Sequence, residues 1–118
     1  MSEYNKRKIG SQKEHIAAAY LQEQGFTIVQ MNYFSRNGEI DIIAREQDYL
    51  VFVEVKYRKD AKLGHAKESI SYYKMQSLIK TARYYLYRSG YSEEVKCRFD
   101  VVAIQGNEVS LIRNAFEQ

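Results

Sequence analysis

The chain has 118 residues, which suits one domain with its own core. Eighteen Lys and Arg against fifteen Asp and Glu leave a net charge of +3, and 45% apolar and aromatic content excludes a disordered polar chain. A single cysteine, Cys97, excludes an intrachain disulfide and a CxxC metal site, and apolar runs such as Leu50–Val53 are too short to span a bilayer. No apolar stretch follows the charged N-terminal segment, so no signal peptide is expected and the location expected is the cytoplasm.

The chain reads as a single domain spanning 1–118, within which residues 1–9 are a flexible basic tail. Residues 11–24 read as a helix. Ser11-Gln-Lys-Glu14 fits a capping box, Ile16, Ala17, Tyr20 and Leu21 form an apolar stripe, and Gly25 is the stop. Phe26–Tyr33 alternates loosely as a strand, and Arg36-Asn37-Gly38 is a turn. Gly38–Arg45 reads as a second strand with Glu39, Asp41 and Ile43 on one face and Ile40, Ile42 and Ala44 on the other. Tyr49–Arg58 is a third, with Val51, Val53, Val55 and Tyr57 opposite Leu50, Phe52, Glu54, Lys56 and Arg58. Residues 59–66 are a polar loop. Ser69 or Ser71 then caps a helix that ends near Gly90, with Met75, Leu78, Ile79, Ala82 and Leu86 as its stripe. Lys96–Gln105 and Glu108–Arg113 are strands joined by a Gly106-Asn107 turn. The order α-β-β-β-α-β-β makes an α/β domain: a mixed five-stranded sheet flanked by helices.

The positive charge is clustered. Lys6, Arg7, Lys8 and Lys13 crowd the first thirteen residues, with further clusters at 56–62 and 67–88. A polyanion favours such clustering, because Lys and Arg displace counterions from phosphates; a solvated surface with a disordered basic tail is the plainer reading. Eleven tyrosines, five of them between Tyr72 and Tyr87, can stack on unpaired bases, pack on the sheet or form a subunit contact. His15 and Cys97 read as an ordinary surface histidine and an inert buried thiol, and Arg98 with Asp100 as a structural ion pair.

The second and third strands should pair as a hairpin. With 46–49 as its loop, Arg45 faces Leu50, Asp41 faces Glu54 and Glu39 faces Lys56. Two opposed carboxylates in apolar surroundings repel, and a divalent cation compensates. Such a cation acidifies water for attack at phosphorus, and Lys56 can orient that water or offset charge on the phosphate. An ordinary solvent-facing stripe, with Asp41 bridged to Lys56, is the plainer alternative.

Asp41 followed by Glu54-Val-Lys56 resembles the PD-(D/E)xK nuclease signature, with Glu39-Ile40 standing where that motif has its proline. Longer strings narrow the resemblance: Gly10-x-x-x-Glu14-x-x-Ala17, Asn32-Tyr33, Gly38-Glu-Ile-Asp-Ile-Ile-Ala44, Phe52-Val-Glu-Val-Lys-Tyr-Arg58, Lys74, Arg98-Phe-Asp-Val-Val-Ala-Ile104 and Asn114-Ala-Phe116. Together they resemble the YraN family of predicted bacterial endonucleases, itself similar to archaeal Holliday-junction resolvases. The resemblance implies a restriction-endonuclease-like fold and a site that binds Mg²⁺ or Mn²⁺. It implies Asp41 and Glu54 as metal ligands and Lys56 as the catalytic lysine. Glu14 matches an acidic residue that completes some resolvase sites, in competition with its capping role. Glu39 is a further ligand, an outer partner or a salt bridge to Lys56. Lys13, Arg36, Arg58 and Lys74 are the candidate phosphate contacts, and a homodimer is implied by the related resolvases.

Two functions follow. One is a metal-dependent endonuclease hydrolysing DNA phosphodiesters, with branched or structured DNA as the candidate substrate. The other is a nucleic-acid-binding or adaptor module that keeps the fold without significant turnover.

Overall fold

The computed structural model describes the backbone of residues 3–58 and 70–116, with the side chains of 10–58 and 70–116. The order is α1 (Glu3–Glu23), β1 (Thr27–Ser35), β2 (Gly38–Glu46), β3 (Tyr49–Arg58), α2 (Tyr72–Arg88), β4 (Lys96–Gln105) and β5 (Glu108–Phe116). The five strands form one sheet in the order β1-β2-β3-β4-β5. Neighbours are antiparallel except β3 and β4, which run parallel because α2 carries the chain back between them. The expected α/β class, element order and mixed sheet are all present. No described helix is long and apolar enough to cross a membrane.

The helices lie on opposite faces of the sheet, each over its own apolar cluster. Ala17 and Leu21 of α1 pack with Ile42, Ala44, Val51, Val53, Val102 and Ile104. Leu78, Ile79, Ala82 and Tyr85 of α2 pack with Ile40, Ile43, Leu50, Phe52 and Phe99. Leu21 is fully buried, so Leu21→Ala would cost about 2–5 kcal/mol and loosen α1. Ile16, expected on the α1 stripe, is instead exposed, because the face fixed by Ala17 and Leu21 turns it toward water.

The cap of the first helix differs from expectation. The helix begins at Glu3, so Ser11 lies in its interior and its carbonyl is bound to His15 Nδ1 at 2.7 Å. Glu14 is therefore not the partner in a capping box, a motif that needs a non-helical residue at the cap. The second cap is Ser71, whose Oγ accepts from Lys74 N at 3.1 Å. Ser69 and the expected 59–66 loop lie outside the described residues.

The hairpin register is as expected where the strands pair: Arg45 faces Leu50, and the ladder runs from Glu46↔Tyr49 to Ile42↔Val53. Beyond that point the strands part. The N-terminal half of β2 stays with β1 through Tyr33↔Ile40 and Phe34↔Glu39. The C-terminal half of β3 stays with β4 through Glu54↔Val101 and Lys56↔Ala103. The expected direct pairs Asp41–Glu54 and Glu39–Lys56 are not part of this ladder. The face alternation also slips once, since Ile40 joins Ile43 over α2 whereas Ile42 and Ala44 lie under α1. The slip coincides with Asn32 on β1, whose φ of 54° is left-handed and breaks the period of two.

Candidate active site

A fork between two strands normally leaves backbone groups unpaired, and those groups need partners. Here the Asp41 side chain supplies one: its Oδ2 accepts from Val55 N at 2.8 Å. This bond takes the place of the next rung of the hairpin and fixes the Asp41 carboxylate at the mouth of the fork. Asp41 and Glu54 are 7% and 6% exposed, so both carboxylates sit in a part-dry environment.

Glu14 from α1 and Glu39 from β2 join Asp41. One carboxylate oxygen from each of the three lies within 4.8 Å of the others. The lengthened α1 makes this possible, because a helical Glu14 is free of the cap and reaches down onto the sheet. Asn32 holds it there: with its amide nitrogen turned to the carboxylate, Asn32 donates to Glu14 Oε1 and Oε2 at 3.0 Å each.

Glu54 approaches from the α2 face. Its Oε1 is 3.7 Å from Lys74 Nζ and 4.0 Å from Lys56 Nζ. Among the described residues its Oε2 is buried without a hydrogen-bond partner. Such an atom is costly unless a donor or a cation fills the position.

The crowding shows in the acidities. Burial, reinforced by the neighbouring Asp41 and Glu39 charges, raises the Glu14 carboxyl to about 7. Burial and the Asp41 charge raise Glu54 to about 7 against the pull of Lys74 and Lys56. Burial also raises Glu39, again with help from Asp41. The arrangement is a nest of oxygen donors with more negative charge than its environment tolerates. Oxygen-only donors suit hard divalent cations such as Mg²⁺ or Mn²⁺, and the unpaired Glu54 oxygen fits the same role.

The structure thus gathers all five residues singled out for chemistry, Glu14, Glu39, Asp41, Glu54 and Lys56, at one fork. It groups them differently from the sequence expectation, with Glu14 and Glu39 closest to Asp41, and Glu54 tied to the two lysines. Lys74, expected only as a phosphate contact, reaches Glu54. Lys13 of α1 is half-buried, with its Nζ 4.3 Å from the centre of the Tyr57 ring, a cation–π contact. Arg36 in the β1–β2 turn and Arg58 at the end of β3 are exposed. His15 is exposed and Arg98 binds Asp100 through Nε at 2.8 Å, both as expected. Two features carried no role in the sequence: the Asn32 clamp on Glu14, and the exposed Phe34 beside it. An asparagine interrupting a strand was the available signal for the first, since Asn adopts left-handed φ more readily than most residues.

Relatives match this chain over most of its length. The model of the Uncharacterised protein family UPF0102 matches residues 13–104. A UPF0102 protein from Lachnoclostridium phytofermentans is 50% identical over 113 residues, covering 96% of each chain. One from Nitrosomonas europaea is 48% identical over 112 residues, 92% of this chain and 93% of its own. One from Vibrio parahaemolyticus is 42% identical over 120 residues, 100% of this chain and 99% of its own. With the family model covering most of the chain and relatives at 42–50% identity matching nearly its whole length, the chain belongs to the UPF0102 (YraN) family.

Proposed function

We propose that the protein is a divalent-metal-dependent endonuclease that hydrolyses DNA phosphodiester bonds at the fork between β2 and β3. The observation that carries the reading is the gathering of four carboxylates from three elements at one part-buried fork, with Glu54 Oε2 unpaired among the described residues. Like charges packed this closely destabilise a fold, and the gain that offsets them is functional.

Asp41, Glu39, Glu14 and Glu54 would hold Mg²⁺ or Mn²⁺. When bound, the cation supplies Lewis-acid stabilisation of charge at phosphorus and acidifies water. The side chains divide the remaining work. Val55 N–H keeps Asp41 in one rotamer, and Asn32 keeps Glu14 turned toward it. Lys56 Nζ, beside Glu54, offsets charge as it builds on the phosphoryl oxygens, and Lys74 Nζ adds a second ammonium on the same side. Arg36, Arg58 and Lys13 contact the flanking backbone and read no sequence.

The test is cleavage of a labelled four-way junction, a flap, a linear duplex and a single strand in Mn²⁺, Mg²⁺ or excess chelator. The expected result is metal-dependent cutting that Asp41→Asn and Glu54→Gln abolish while DNA binding persists. Binding that survives chelation, with no cutting of any substrate by the wild type, would favour an adaptor module instead.

A further inference from the structure

The cleft at the carboxylates does not end with them. A cavity of about 490 Å³ is lined by Gly10, Ser11, Glu14, Asn32, Phe34 and Glu39. An adjoining cavity of about 700 Å³ is lined by Phe34, Ser35, Arg36, Asn37 and Tyr84. Both volumes fall within the usual range for clefts that hold small ligand groups. Phe34 lies in both walls, so a ligand anchored at the carboxylates passes over its ring to reach Arg36 and Tyr84.

Phe34 is 68% exposed, on the edge strand of the sheet, although burial would favour so apolar a ring. In the cavity beside the carboxylates the other described lining residues, Gly10, Ser11, Glu14, Asn32 and Glu39, carry no apolar side chain, so the Phe34 ring stands out there. Tyr84 offers a second partly exposed ring, and Arg36 an unburied guanidinium in the same cavity. Two aromatic rings with one guanidinium suit a base and its phosphate, because bases stack on aromatic faces and Arg binds phosphate. A base inside a duplex has both faces covered by its neighbours and cannot use such a wall. We propose that Phe34, with Tyr84 and Arg36, forms a subsite for an unpaired nucleotide next to the carboxylate fork. The preferred nucleic acid then carries single-stranded nucleotides beside the scissile bond, a statement that rests on the nuclease reading for its last term alone.

The experiment measures fluorescence anisotropy with full-length protein carrying Asp41→Asn, so that binding is read without cleavage. The probes are a labelled duplex bearing a short single-stranded flap and the same duplex fully paired. A 2-aminopurine in the flap reports stacking by quenching. The expected result is a preference for the flap of about tenfold, as one or two stacked bases would give. Phe34→Ala removes the preference and the quenching without changing affinity for the paired duplex. Phe34→Tyr retains both, and Tyr73→Ala, at an exposed tyrosine elsewhere on α2, changes neither. Equal binding of the two probes, or a flap preference that survives Phe34→Ala, overturns the subsite. Cleavage by the protein without substitutions is scored separately. Absence of metal-dependent cutting together with Phe34-dependent flap binding defeats the nuclease reading and leaves the subsite standing.

Discussion

Asp41 Oδ2 accepts the Val55 amide hydrogen at 2.8 Å, and this one bond joins the fold to the site. It ends the β2–β3 ladder one residue past Ile42↔Val53 and holds a carboxylate where Glu14, Glu39 and Glu54 converge. Two substitutions separate its roles. In Asp41→Asn the side-chain oxygen still accepts from Val55 while the charge is gone. The variant should be more stable than the wild type at pH 8 without metal, and the advantage should shrink at pH 5, where Glu14 and Glu54 are protonated. Asp41→Ala leaves the Val55 amide without its acceptor and should be about 1–3 kcal/mol less stable than Asp41→Asn. Urea unfolding at both pH values measures the differences.

Glu14 and Glu54 both titrate near 7 in the folded protein against an ordinary value of 4.5. Between those values the folded state binds more protons than the unfolded state, so stability falls as pH rises through the window and levels off above it. The metal-free protein is expected to lose stability from pH 5 to pH 7.5. Saturating Mg²⁺, which favours the ionised carboxylates, should flatten the slope. Unfolding midpoints with chelator and with Mg²⁺ across this range provide the check.

At the opposite end of the sheet the sign reverses. Glu46 accepts from Arg98 Nη2 and Arg113 Nη2 at 2.6 Å each, and these bonds hold its carboxyl down at about 2. A depressed pKa contributes stability above the unfolded value that is lost as pH falls through the folded one. Glu46→Gln should therefore destabilise the protein at pH 7 by about 1–3 kcal/mol, as for a hydrogen-bonded charge pair. The gap to the wild type should close as pH approaches 2. Thermal unfolding at neutral and strongly acid pH distinguishes the two regimes.

Gly38 tests how α2 is seated. Its φ of 146° suits glycine, and a methyl group there would strike Ser77 Oγ, which donates to Asn37 O at 2.6 Å. Gly38→Ala should cost about 1–3 kcal/mol through backbone strain and the displaced hydroxyl. Adding Ser77→Ala should recover only the steric part, because the backbone conformation stays unfavourable. A double-mutant cycle in urea resolves the two contributions.

Much of this was legible in the residues. The bounds of β3 and β4 follow from apolar runs set between polar or glycine-bearing turns, and the Arg45↔Leu50 register follows from a short polar loop between two apolar strands. The residues of the candidate site were legible because charged side chains interrupt those strands. Their grouping was not, for three physical reasons. A Ser-x-x-Glu string reads as a cap, and no local signal shows that the helix has already run from Glu3 through Ser11. A left-handed Asn32 resets which face of β1 and β2 each side chain takes, and period-two reasoning has no place for it. Lys74 reaches Glu54 only because α2 lies over that face of the sheet, a tertiary contact that spacing cannot reveal. Likewise β5 runs past its expected end at Arg113 because Asn114 adopts a φ of 53° and donates its amide to the buried Asp100 at 2.9 Å.

The proposed endonuclease requires that the carboxylates at the fork hold a divalent cation. Titration of the metal-free protein with Mn²⁺ at pH 7.5, followed by electron paramagnetic resonance of the free ion, tests it without depending on any substrate. The wild type should take up Mn²⁺, Asp41→Asn should lose that uptake, and Glu54→Gln should weaken it by about tenfold or more, as partners of a bound metal typically do. Uptake by both variants equal to that of the wild type would place the cation elsewhere and overturn the proposed metal site.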